Sequence, residues 1–437
     1  MTYPAYEKYN DSGVDWLGDI PEEWEVTRLN EAAKIKTSNV DKKTHEGEEP
    51  VRLCNYIDVY YNAKITSKIK FMSASATFAE ISKFKLYKGD VVLTKDSESA
   101  SDIGIPTLID EEIDDLVCGY HLSILKPIAK KSDGSYLYYA IKSQPSAAQF
   151  EVSANGVTRF GLSLNDLKIL QFALPLLPEQ KAIAEFLDRK TAQIDVLIDK
   201  KEQLLKLLAE QRTALITHAV TKGLNPNAQM KESDIDWLGD IPQGWEVRKL
   251  SQAIKYIVGF TPDSGNPIYY GEGYDWINIS DLGAKYITSA AKQITQEAID
   301  KFKKRPAPKG SLLYSFKLTV GSVSIAGKEI YTNEAIAAFL EGGLLDIGYL
   351  YYLAPLAIVQ NASENIYGAK ILNQDLIDGA KLVVPPLREQ KMIAEFLDRK
   401  SAQIDAIKSK TKEIITHLKE YRTAIITSAV TGKIKVV

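Results

Sequence analysis

Cysteine and histidine are scarce: two cysteines (Cys54, Cys118) and four histidines (His45, His121, His218, His417) in 437 residues. Two thiols cannot build a disulfide framework, and a reducing cytoplasm is the expected setting. The histidines are scattered and no HxxxH or CxxC pairing occurs, so no metal site is expected. No stretch approaches the roughly 18 apolar residues of a membrane helix. Residues 1–13 show no basic segment running into an apolar core, so no signal peptide is expected. There is no GxxxxGK[ST] loop, and no GxGxxG follows a strand, so the common phosphate and dinucleotide cradles are missing. A net charge of −3 speaks against a histone-like, charge-driven nucleic-acid binder. It leaves open base reading by well-placed side chains.

What is present is an ordinary globular composition, 45% hydrophobic and 25% charged, in a chain long enough for two domains. Two blocks are written twice. IAEFLDRKTAQID at residues 183–195 returns as IAEFLDRKSAQID at 393–405, and DWLGDIPEEWEV at 15–26 returns as DWLGDIPQGWEV at 236–247. The inserts between them show no evident likeness. Two copies more than 200 residues apart are a duplicated domain, not a solenoid. Two constant frames with unlike inserts suit a protein that carries two independent readers.

Residues 178–219 and 388–429 each read as one long helix, free of glycine and almost free of proline. A heptad fits both. In the first it uses Leu187, Ile194, Leu208 and Leu215 on one seam row and Leu197 and Leu204 on the other. In the second it uses Leu397, Ile404, Leu418 and Ile425 with Ile407 and Ile414. Such helices pair most simply with each other, antiparallel, as a stiff spacer. The expected fold is α+β: two similar mixed domains separated by two long antiparallel coiled-coil helices, an internal pseudo-twofold repeat. The expected boundaries are 1–175 and 223–385 for the domains, 176–222 and 386–437 for the helices.

The inserts mix short β-rich runs, glycine-marked turns and short helices. Their lysine-dense stretches, residues 64–88 and 301–309, read as solvated surface. Asn266-Pro267-Ile268-Tyr269 approximates the Asn-Pro-Pro-Tyr loop of amino-methyltransferases, but lacks the second proline and a cofactor loop, and reads as a turn entering a strand. Trp16, Trp24, Trp237 and Trp245 of the repeated blocks read as buried anchors. Catalytic, cofactor-binding and metal-ligating residues are expected to be absent. Several turns do collect side chains suited to base edges: Lys95, Ser97 and Ser99; Asn155, Thr158 and Arg159; Asn278 and Ser280; Ser315, Lys317 and Thr319.

The paired DWLG-IP-xxW and PL-x-EQ-xx-IAEFLD blocks resemble the specificity subunit of type I restriction-modification systems. The second insert is also similar in Gly259-Phe260-Thr261-Pro262, in residues 276–282 and in Tyr367-Gly368-Ala369-Lys370, which adds Tyr367 and Lys370 as candidates. The first insert has no Gly-x-Thr-Pro at its start. The resemblance implies two target recognition domains, each reading half of a split, asymmetric double-stranded DNA sequence, on helices that set the gap. It implies a non-catalytic subunit whose partners are two modification subunits, with S-adenosylmethionine-dependent adenine methylation, and two restriction subunits, with ATP-driven translocation and cleavage. The modification subunits would dock on the outer helix faces. A self-contained DNA methyltransferase and a coiled-coil adaptor without a nucleic-acid role stay open as alternatives. If the helices set the gap, four residues inserted within 200–210, about one turn or ~6 Å, lengthen the tolerated gap by roughly two base pairs of ~3.4 Å. A gap that stays unchanged in mapped methylation sites contradicts the spacer.

Overall fold

The computed structural model describes residues 3–364 and 370–436. It divides into two compact units, Met1–Glu202 with Lys412–Val437, and Gln203–Thr411. Both long helices, Leu177–Lys222 and Leu387–Val430, are shared between the units by this division.

In the first unit a five-stranded sheet runs in the order Ala33–Thr37, Leu122–Pro127, Val91–Thr94, Pro106–Ile109, Lys64–Ile65. All pairings are antiparallel except the last. Val91–Thr94 is buried at every position because the helix Gly134–Lys142 and the short helix Tyr56–Tyr61 both pack on it, which is why it reads as a continuous apolar run. A three-stranded sheet, Leu116–Cys118, Glu49–Cys54, Met72–Ala76, adjoins it.

The second unit repeats this order strand for strand: Tyr256–Val258, Ile336–Phe339, Leu312–Ser315, Val323–Ala326, Tyr286–Ile287. Its edge pair is again parallel, and its three-stranded sheet again centres on the strand Tyr270–Ile277 with one parallel and one antiparallel neighbour. The inserts are therefore alike in topology. Small signals mark the kinship. Asp133 and Asp346 cap the helices that carry Tyr136-Leu137-Tyr138-Tyr139 and Tyr349-Leu350-Tyr351-Tyr352. Asn55 with Asp58, and Asn278 with Asp281, form matching capping boxes.

The repeated blocks meet each other. Trp24 Nε1 donates to Glu179 at 3.2 Å and Trp245 Nε1 donates to Glu389 at 2.9 Å. The neighbouring glutamines are fully buried clamps. Gln180 accepts from the Asp133 amide and donates to the carbonyls of Lys131 and Pro175; Gln390 does the same with Asp346, Leu344 and Pro385. Entry block and exit strand then pair, Glu25–Arg28 with Gln171–Leu174 and Glu246–Lys249 with Lys381–Val384. Trp24 and Trp245 bury because a carboxylate satisfies the indole N–H. Trp16 does not: it is 51% exposed beside Val152 and Ile169, and Trp237 is half-buried.

Within each unit the long-helix segments run antiparallel. In the second, Arg212 approaches Asp405 at 3.9 Å while Gly223, left-handed at φ +79° where the helix stops, lies against Glu389. In the first, Arg422 pairs with Asp195; at the other end Tyr6, whose ring contacts Tyr9, donates to Glu179, and Tyr9 donates to the Gly432 carbonyl. The shielded positions are Leu187, Thr191, Ile194, Ile198 and Lys201, continuing at Leu205, Leu208, Arg212, Leu215 and Ala219. Their counterparts are Leu397, Ser401, Ile404, Lys408, Thr411, Ile415, Leu418, Arg422, Ile425 and Ala429.

One seam row is the expected one. In the other, Leu204 and Ile414 are half-buried beside Leu205 and Ile415, but the expected Leu197 and Ile407 are 46% and 48% exposed and the adjacent Ile198 and Lys408 are shielded instead. The apolar pattern misled because the true row holds polar residues: Thr191, whose hydroxyl bonds to Tyr139, Ser401, and Arg212 and Arg422, which lie against Asp405 and Asp195. Ile198→Asp, at a position 7% exposed, is expected to cost about 3 kcal/mol or more in chemical denaturation, and Leu197→Asp less than about 1 kcal/mol. The reverse ranking would restore the expected heptad.

Candidate nucleic-acid interface

Strand register places one set of loops at a single end of each five-stranded sheet. In the first unit Thr37 and Thr94 end their strands beside the start of Leu122–Pro127, so the loops after Thr94 and before Leu122 emerge together. The strand Asp96–Ser97 then pairs with Phe160–Gly161, bringing the 155–161 hairpin onto the same end. In the second unit the same positions belong to residues 259–262, 316–322 and 333–335.

The first cluster centres on Asp96, which accepts from His121 Nδ1 and pairs with Lys95 at 3.3 Å. Arg159 Nη2 lies 3.5 Å from both ring nitrogens of His121, whose backbone is left-handed at φ +70°. Behind them Tyr56 stacks on Tyr60, and the Tyr60 hydroxyl donates to Asp102 at 2.6 Å. That carboxylate pushes the Tyr60 phenol up to about 12.

Of the candidates here, Asn155, Thr158 and Arg159 are exposed and Lys95 is half-buried. Ser99 is exposed and bonded to Ser101, while Ser97 is buried in the strand pair. Asp96 lies within the Lys95–Ser99 turn that the sequence offers, whereas His121, Tyr56 and Tyr60 are not among its candidates. The Gly119-Tyr120-His121 turn between apolar runs was the available signal, but the Asp96–His121 contact spans 25 residues and only folding creates it.

In the second unit the loop 259–262 is fixed by its own packing. A Cβ on Gly259 would stand 1.9 Å from the Thr332 carbonyl oxygen. Phe260 stacks on Phe302 at 4.9 Å, its carbonyl accepts from Trp276 Nε1 at 2.8 Å, and Tyr270 donates to the Pro262 carbonyl. Thr261, Tyr270, Trp276, Asn278, Lys292 and Gln293 line an open cavity of about 830 Å³. Asn278 is half-buried there as a helix cap, and Ser280 is exposed.

Ser315 is fully buried and its hydroxyl donates to the Lys317 carbonyl, so it shapes the turn and presents nothing to a ligand. Lys317 and Thr319 are exposed at the tip, flanking Leu318, which is left-handed at φ +58°. Lys370 is exposed, and Tyr367 lies outside the described residues. Asn266 caps the turn Pro267–Tyr269, a local structural part. Among the described residues no cluster of histidine, cysteine or carboxylate could hold a metal, and no helix is long and apolar enough to cross a membrane.

Two α+β units of one topology on a duplicated frame, differing in the loops at one strand end, define a two-copy domain architecture. The sequence profile of the type I restriction modification DNA specificity domain matches residues 21–206 and 242–417, and the chain belongs to this family. The type I restriction enzyme MjaVIII specificity subunit of Methanocaldococcus jannaschii is similar at 26% identity over 439 residues, covering 95% of this chain and 94% of that one. In fold, the HsdS subunit of Thermoanaerobacter tengcongensis matches with a TM-score of 0.58 at 20% identity, over 95% of this chain and 98% of that one. A chain from a structure of a type I restriction-modification system matches at 0.72 and 19% identity, over 94% and 98%.

Gly259→Ala is expected to lose about 1–3 kcal/mol of stability, because the backbone must part from Thr332. Gly244→Ala, with open space around it, is the control and is expected to be neutral. Equal thermal stability of the two variants would contradict the close packing of this loop.

Proposed function

We propose that this chain is the DNA sequence-recognition subunit of a type I restriction-modification complex, each unit reading one half of a bipartite, asymmetric duplex target. The observation that carries this reading is the pairing of one sheet topology with two different polar loop sets at the same strand end. The family membership agrees with it. Lysine, arginine, asparagine and threonine on short, braced loops suit major-groove base edges, where each base pair presents a distinct donor–acceptor pattern. A net charge of −3 fits a reader whose partners supply much of the phosphate contact.

On this reading the chain acts in the cytoplasm and performs no chemistry itself. Modification subunits, two in number, supply S-adenosylmethionine-dependent adenine methylation, and two restriction subunits supply ATP-driven translocation and cleavage. The repeat mates Leu197 and Ile407, apolar and half-exposed on the outer helix faces, are suitable docking points for a partner present in two copies. Of the loop candidates, Lys95, Ser99, Asn155, Thr158, Arg159, Asn278, Ser280, Lys317, Thr319 and Lys370 remain proposed DNA contacts.

Replacing residues 27–170 by the matching insert of another specificity subunit is expected to change one half of the recognised sequence only. The readout is the set of methylated adenines in host DNA when the chimera is expressed with its modification partner. A change in both halves, or in neither, contradicts independent reading.

A further inference from the structure

Arg159 is the exposed cation of the first unit's loop cluster, and its guanidinium lies against the His121 ring rather than in a carboxylate. The carboxylate beside His121 is already engaged, since Asp96 accepts from His121 Nδ1 and pairs with Lys95. The chain of supports is continuous. Asp96–Ser97 pairs with Phe160–Gly161, the Asn155 and Gly161 backbones bond each other at 2.9 and 3.1 Å, and Lys95 N–H donates to the His121 carbonyl at 3.1 Å. His121 itself is held by the Tyr120 ring, 3.6 Å between centroids. An imidazole fixed at one nitrogen by a carboxylate braces Nη2 of the exposed Arg159, whose planar guanidinium carries further N–H donors.

A fork of two parallel N–H donors matches the O6 and N7 acceptors of guanine in the major groove, and no other base edge offers that pair. We propose that Arg159 reads a guanine in the half-site of the first unit, with His121 and Asp96 as positioning residues that aim it. The same strand end of the second unit carries Lys317 and Thr319 and no arginine, so its reading chemistry differs.

The proposal rests on the DNA-reading function above, and the experiment separates the two. The full chain is co-expressed with its modification partner in a host free of other adenine methylation, and the methylated sites are mapped. Arg159→Ala is expected to accept other bases at one guanine of one half-site, with discrimination there falling roughly tenfold or more, while the other half is unchanged. Arg159→Lys, a point charge without the fork, is expected to keep a partial preference. His121→Gly preserves the left-handed backbone and removes only the ring, so it is expected to erode the same position. For any variant too weak to methylate in cells, binding of the purified complex to the wild-type duplex and to single-base replacements gives the same readout. Arg159→Ala retaining every guanine preference overturns the proposal, as does His121→Gly leaving the preference at that position intact. A wild-type chain that directs methylation to no consensus at all overturns the DNA-reading function instead.

Discussion

Each unit depends on one buried junction, in which a tryptophan indole, a helix-opening glutamate and the glutamine after it lock three pieces of chain together. Trp24 with Glu179 and Gln180, and Trp245 with Glu389 and Gln390, tie the entry strand, the first turn of a long helix and the start of the helix that backs the sheet. A buried amide with every donor and acceptor used is costly to disturb, since each lost partner leaves an unsatisfied group in an apolar surround. The junction can therefore be repeated without change while everything beyond it varies.

The consequence for function is a division of labour along each strand. Near the junction the helix that backs each sheet is committed to the frame: Tyr136 donates to the Ala173 carbonyl, Tyr349 to the Val220 carbonyl, and Tyr139 and Tyr352 to Asp188 and Asp398. The opposite ends are free to carry different chemistry. In the first unit they hold an ionic cluster around Asp96, and in the second a stacked aromatic set around Phe260 and Trp276. A scaffold of this kind allows one reading surface to change without disturbing the assembly that uses it.

The repeated frame and its helices were legible in the sequence because they are local: 46 and 44 residues without an internal breaker, and a block nearly identical in two places. That the two domains would be similar followed from the repeated frame, but the strand order the inserts share did not show in their residues. Its markers, Tyr-Leu-Tyr-Tyr after an aspartate and Asn-x-x-Asp after a buried strand, are four-residue signals in a divergent background. Part of the second seam row is not legible because apolar periodicity favours Leu197 over Thr191 and Arg212, whose burial depends on partners far along the chain. The loop candidates were chosen for residue type alone. Type gathered Lys95, Arg159 and Lys317 at the strand end proposed to read DNA, but could not tell that Ser97 and Ser315 turn inward or that His121 joins the cluster.

Hydrogen–deuterium exchange on the full chain in complex with its modification partner, with and without a target duplex, tests the central claim most directly. Protection on adding DNA should fall on residues 95–104, 119–121 and 155–161 of the first unit and on 259–262, 316–322 and 333–335 of the second. Protection confined to the long helices or to the junction ends of the strands would contradict it.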